Sequence, residues 1–143
     1  MVELTKINSL ISGIRSLQQS NREVRFPLSF VSDGTCHKPV DPMLFKVGAW
    51  TSVPAWPGLT CFGVSLSKKE VVIICDVNRS MRLGKQEHGP WRESIVMVSG
   101  TLKEELTGEE FTPGAGVYSI PAGVVHSPTF LTPARCVITW TRD

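Results

Sequence analysis

The chain has 143 residues, a formal net charge of +2 and 20% charged side chains. That length can bury a core of its own, and so small a charge, without a basic block or interleaved arginines and aromatics, excludes a nucleic-acid partner. Apolar residues make up 41%, which excludes a disordered chain, and no apolar run approaches the roughly 18 residues of a membrane span.

The N-terminus, Met1-Val2-Glu3-Leu4-Thr5-Lys6, has no basic stretch followed by an apolar one, so a cytoplasmic protein without a secretory signal is expected. Residues 3–20 predict a helix: Leu4, Ile7, Leu10, Ile11, Ile14 and Leu17 recur at three- and four-residue intervals and form one apolar stripe. Gly13 weakens it by about 1 kcal/mol relative to alanine, and the few basic residues on its polar face argue against a membrane surface. Pro27, Asp33-Gly34, Pro39 and Pro42 break residues 21–42 into short apolar pieces. Residues 1–42 therefore read as a helix and an extended arm, packing on the rest of the chain or on a partner subunit. Cys36-His37 lies within this arm with nothing at ligand spacing, so His37 is expected on a surface loop.

From Met43 to the end, residues 43–143 read as one β-barrel. Expected strands run from Met43 to Trp50, Leu59 to Leu66 and Val71 to Val77, the last two joined by a hairpin at Ser67-Lys68-Lys69. Val71-Val72-Ile73-Ile74 is apolar without alternation and should be covered on both faces. Further strands follow at Glu93 to Val98, Thr101 to Leu106, Gly116 to Ile120 and Ala134 to Trp140, about eight in all. Leu102 and Leu106, alternating with Lys103 and Glu105, mark a half-exposed strand. Of the four cysteines, Cys61, Cys75 and Cys136 fall in strand-like runs and no CxxC pair occurs, so reduced, buried thiols are expected.

The chemistry concentrates between Gln86 and Phe130. Gln86-Glu87-His88-Gly89-Pro90-Trp91-Arg92-Glu93 precedes one strand, and Pro121-Ala122-Gly123-Val124-Val125-His126 follows another. Imidazoles and a carboxylate at the ends of neighbouring strands suit a borderline divalent metal. Gln86 and His88, two apart on an extended segment, face the same side, and the Pro-Ala-Gly turn lets the next strand present His126 inward.

These residues resemble the motifs of the cupin superfamily. The first cupin motif is His-x-His, then a glutamate, then a glycine; His88, Glu93 and Gly100 match it, with Gln86 at the first histidine position. The second, Pro-x-Gly-x-x-His, is matched by Pro121, Gly123 and His126, with Phe130 where an asparagine usually closes it. The resemblance covers roughly residues 45–142 and is closest to the cupin domain of anti-sigma factors and their free-standing relatives. It implies an all-β fold, a double-stranded β-helix or jelly-roll barrel, here with the N-terminal amphipathic helix added. It also implies a divalent iron, zinc, manganese or nickel ion held by Gln86, His88, Glu93 and His126. The amide of Gln86 is a poorer ligand than imidazole, yet two histidines and a carboxylate still form a facial set with open positions.

Counting by twos places Ile95 and Met97 inward with Glu93, Pro128 and Phe130 with His126, and Ile120 with Tyr118, while Cys136, Ile138 and Trp140 share a face. Met97, Phe130 and Trp140 are thus candidates for a substrate pocket, with Trp91 and Arg92 at its mouth. Glu93 and Tyr118 are the candidate catalytic residues, as base and proton donor. The expected function is a metal-dependent enzyme, dioxygenase- or isomerase-like, acting on a small organic molecule. The alternative is a non-catalytic cupin with a degenerate metal site that binds a small ligand or regulates a partner. A homodimer joined through edge strands is expected in either case.

Overall fold

The computed structural model describes residues 47–53 and 56–143 in full and, for residues 23–25, 29–32, 35–39 and 44–46, the strand backbone. The helix expected over residues 3–20 lies outside the described residues, as do the side chains of Cys36 and His37. Among the described residues there is no helix. Four short strands come first: β1 (Glu23–Arg25), β2 (Ser29–Ser32), β3 (Thr35–Pro39) and β4 (Leu44–Lys46). His37 therefore sits on a strand paired with β2 and not on the loop that its isolation suggested.

The chain then forms β5 (Trp50–Ser52), β6 (Leu59–Leu66), β7 (Glu70–Val77), β8 (Met81–Arg82), β9 (Gln86–Glu87) and β10 (Arg92–Ser99). It ends with β11 (Leu102–Glu104), β12 (Glu110–Phe111), β13 (Tyr118–Ile120), β14 (Pro128–Phe130) and β15 (Ala134–Thr141). The excess over eight strands has local causes. Gly48 takes a φ of +81° and divides the expected Met43–Trp50 strand into β4 and β5. The strand begun at Leu102 stops at Glu104, where the Gly108 amide closes a turn onto the Glu104 carbonyl at 2.8 Å.

A six-stranded sheet in the order β13-β10-β15-β7-β6-β5 faces a four-stranded sheet in the order β12-β11-β14-β8, every pairing antiparallel. Backbone pairing also joins β1 to β4 and β2 to β9, the strand that carries Gln86. The fold is an all-β jelly roll. Its core is built by period-two alternation: in β10, Glu93, Ile95 and Met97 are buried between more exposed neighbours, and in β15 so are Cys136, Ile138 and Trp140. They meet Leu102 and Phe130 of the opposing sheet, and each large apolar side chain so buried contributes about 1.5–3 kcal/mol. The Val71–Ile74 run is covered on both faces: Ile73 joins this core, while Ile74 packs on the outer face with Val47, Phe62 and Val64. Cys61, Cys75 and Cys136 are free, buried thiols.

Candidate metal centre

Two turns set the site. The Trp91 amide closes on the His88 carbonyl at 3.2 Å just before β10 begins, and the Val124 amide closes on the Pro121 carbonyl at 3.3 Å just after β13 ends. Gly123, at a φ of +73°, supplies the left-handed conformation that its turn needs. Its amide donates to the Gly89 carbonyl at 2.9 Å, clipping one turn onto the other. Alongside, Gln86 and His126 exchange backbone hydrogen bonds of 2.8 and 3.0 Å. His88 and His126, 38 positions apart, are thereby brought side by side. Glu93 enters from the second residue of β10, in register with Ile120 and Trp140 on its two neighbours.

All three side chains are buried, and their donor atoms lie within 4.8 Å of one another. His88 Nε2 is 2.9 Å from Glu93 Oε2 and 2.9 Å from His126 Nε2, and His126 Nε2 is 3.6 Å from Glu93 Oε1. Ligands about 2.1 Å from one ion are separated by about 3.0 Å at right angles and about 3.4 Å at tetrahedral angles, so the observed spacings suit a shared cation. The proton count points the same way. A ring nitrogen carries at most one hydrogen, which cannot serve both 2.9 Å contacts of His88 Nε2 at full strength. Glu93 Oε1 also has no hydrogen-bond partner among the described residues. A cation between the donors relieves this crowding of lone pairs.

The electrostatics prepare the ligands. Burial alone would raise the Glu93 carboxyl, but the His88 charge and hydrogen bond, the His126 charge and the Trp140 indole outweigh it and hold it below the ordinary carboxylate range. Burial, reinforced by the charge of His88, pushes His126 below its ordinary value, against the opposing pull of Glu93 and Glu104. Glu93 is thereby favoured as carboxylate and His126 as neutral imidazole, the forms that bind metal.

Behind His126 lies a residue that the sequence did not single out. Glu104 is buried, and its carboxylate accepts hydrogen bonds from the Tyr118 hydroxyl at 2.5 Å, the Ser127 amide at 2.8 and 3.0 Å and the Leu106 amide at 2.8 Å. Tyr118 Oη is also 3.2 Å from His126 Nδ1. Leu106, expected to alternate inward with Leu102, is instead 51% exposed, because the chain turns away after Glu104. The available signal was register: Glu104 is two residues from buried Leu102 and so shares its face.

The other sequence-derived residues separate. Phe130 and Trp140 line an interior hollow of about 30 Å³ with Gln86 and Glu93, room for about two water molecules. Met97 is buried in the core but does not line that hollow. Trp91 is half-buried beneath the Arg142 guanidinium, 5.0 Å from its ring centre, and Arg92 lies outside, 3.3 Å from Asp143. A larger groove of about 330 Å³ opens through the wall between the β11–β12 turn and β13, with Glu104, Tyr118 and His126 on its floor and Leu106, Val117 and Val124 at its rim.

No family model matches the sequence, and neither does any curated protein. Solved structures do match by shape. KdgF from Halomonas sp. aligns with a TM-score of 0.58 at 15% identity, over 66% of this chain and 88% of that one. The cupin domain of Cnp3 from Schizosaccharomyces pombe aligns at 0.56 and 12% identity, over 85% and 88%. The Rhodobacter sphaeroides complex of SigE with the anti-sigma ChrR aligns at 0.52 and 10% identity, over 66% of this chain but 49% of that one. At such identities the likeness establishes the fold.

Proposed function

Since the chain has the cupin fold, we propose that it is a small metal-binding cupin in which His88, Glu93 and His126 hold one divalent ion, of iron, zinc, manganese or nickel. The observation that supports this above all is the trio of buried donors 2.9, 2.9 and 3.6 Å apart, with fewer hydrogens than their close contacts require. Gln86, buried and paired with His126 through the backbone, completes or tunes the site with its amide. The bound metal would supply Lewis acidity or oxygen activation, as in a dioxygenase- or isomerase-like enzyme acting on a small organic molecule. Glu93, when displaced from the ion, would double as the base that takes and returns a proton. The interior hollow is too small for such a molecule, so the wall groove, within the usual size range of ligand sites, is where it would bind. Glu104 and Glu109 line that groove and, among the described residues, no lysine or arginine does, which favours a neutral or cationic, largely apolar ligand.

Elemental analysis of protein purified without chelator tests the metal: about one divalent ion per chain is expected, and none in His126→Ala. A wild-type protein that neither carries nor takes up a divalent ion would end the proposal. A second reading, a regulatory or ligand-binding cupin without turnover, is favoured by the confined interior of about 30 Å³. A metal-loaded protein inert toward 1,2-dicarbonyls, diketones and thiols would select it. A homodimer and a cytoplasmic location belong to both readings, and sedimentation velocity would check the first.

A further inference from the structure

We infer that Glu104 and Tyr118 are positioning residues that fix His126 in its Nδ1–H tautomer, leaving Nε2 bare toward His88 and Glu93. The inference begins at the Glu104 carboxylate. Among the described residues, every group that contacts it within hydrogen-bond distance is a donor: two backbone amides, of Leu106 and Ser127, and the hydroxyl of Tyr118. A carboxylate surrounded only by donors has no use for a proton of its own. The tyrosine hydroxyl has one hydrogen, and two acceptors compete for it. Glu104 Oε1 is charged and 2.5 Å away, whereas His126 Nδ1 is neutral and 3.2 Å away. The hydrogen goes to Glu104, because charge-assisted hydrogen bonds are shorter and about twice as strong.

What remains on Tyr118 facing His126 is an oxygen lone pair. His126 Nδ1 can satisfy it only by donating, so the ring hydrogen sits on Nδ1 and Nε2 has none. That nitrogen is the one 2.9 Å from His88 Nε2 and 3.6 Å from Glu93 Oε1. The phenol is held in this role from the side as well, since the Phe111 ring packs edge-on against it with centroids 4.6 Å apart. Tyr118 thus acts through His126, as a holder of its ring, in place of the proton donor its residue type suggested. The consequence for metal affinity rests on the function proposed above; the tautomer does not.

The test begins with metal-free protein at pH 8, its histidines labelled with nitrogen-15, by long-range proton–nitrogen correlation. The expected wild-type result is a protonated-type Nδ1 and a bare-type Nε2 at His126. Tyr118→Phe keeps the ring and its contact with Phe111 and removes only the hydroxyl; it should return His126 to a mixture of tautomers in a protein that still folds but melts several degrees lower, because a buried hydrogen bond to Glu104 is lost. Zinc affinity, measured by competition with a chromophoric chelator, should fall 10- to 100-fold in the same variant, the usual cost of losing such a partner. Glu104→Gln should shift the tautomer in the same direction, because its amide no longer competes as strongly for the tyrosine proton. A hydrogen on Nε2 in the wild type, or a Tyr118→Phe protein with unchanged tautomer, would overturn the inference. A fixed tautomer that Tyr118→Phe releases, in a protein that binds no zinc, would support it while sinking the metal reading.

Discussion

His88→Ala in the metal-free protein should cost far more than a truncated histidine usually does, and Glu93→Gln should give part of it back. The Glu93 side chain is only 2% exposed, and its nearest partner is His88 Nε2 at 2.9 Å. With His88 gone, the carboxylate keeps, among the described residues, His126 at 3.6 Å and the Trp140 indole. Stranding a buried charge by removing one partner typically costs 3–5 kcal/mol, and the residual partners place this case near about 3 kcal/mol. Loss of the ring packed 5.6 Å from Trp140 and 5.0 Å from His126 adds a void, worth about 1 kcal/mol more. Glu93→Gln in the His88→Ala background removes the stranded charge and should recover about 2 kcal/mol. Urea unfolding of chelator-treated protein at pH 7.5 reads these differences, provided the slope with denaturant is unchanged between variants. A His88→Ala cost below about 1 kcal/mol, or strictly additive single and double variants, would refute the reasoning, because it would mean that water already solvates Glu93.

Acid should weaken the metal-free fold in two stages. His126 is held below its ordinary value, so between its native pKa and about 6.5 the unfolded chain binds the extra proton and stability falls as pH drops. Glu93 is also held low, so its contribution is present above its ordinary range and lost as pH falls through its native pKa; urea midpoints followed from pH 8 down to about pH 2 would show both. Metal, competing with the same protons, should be retained at pH 6.5 and released in more acidic buffer, as dialysis followed by elemental analysis would reveal. Gly100→Ala should destabilise the barrel by about 3 kcal/mol, from a left-handed φ of +79° and a Cβ 2.3 Å from the Pro133 carbonyl oxygen. A melting temperature within a degree of wild type would contradict that.

The sequence by itself determined which side chains of β10 and β15 face inward. Alternation is a local property of an extended backbone, so counting by twos placed Glu93, Ile95 and Met97 on one face of β10 and Cys136, Ile138 and Trp140 on one face of β15, as the burial shows. The hairpin at Ser67–Lys69 was legible for the same reason, being closed by residues three apart, with the Ser67 amide on the Glu70 carbonyl at 2.7 Å. Glu104 is equally in register with Leu102, but register alone does not bury a charge, and only the tertiary structure supplies the donors that keep it inside.

Tertiary structure alone decided the distances within the site. The spacing of His88, Glu93 and His126 depends on the Gly123 amide meeting the Gly89 carbonyl and on Gln86 bridging to His126. Those bonds join segments more than thirty positions apart. Local sequence sets the direction of a side chain from its own backbone; separation between remote side chains is set by which strands pair and where their turns touch, and that is a property of the whole barrel.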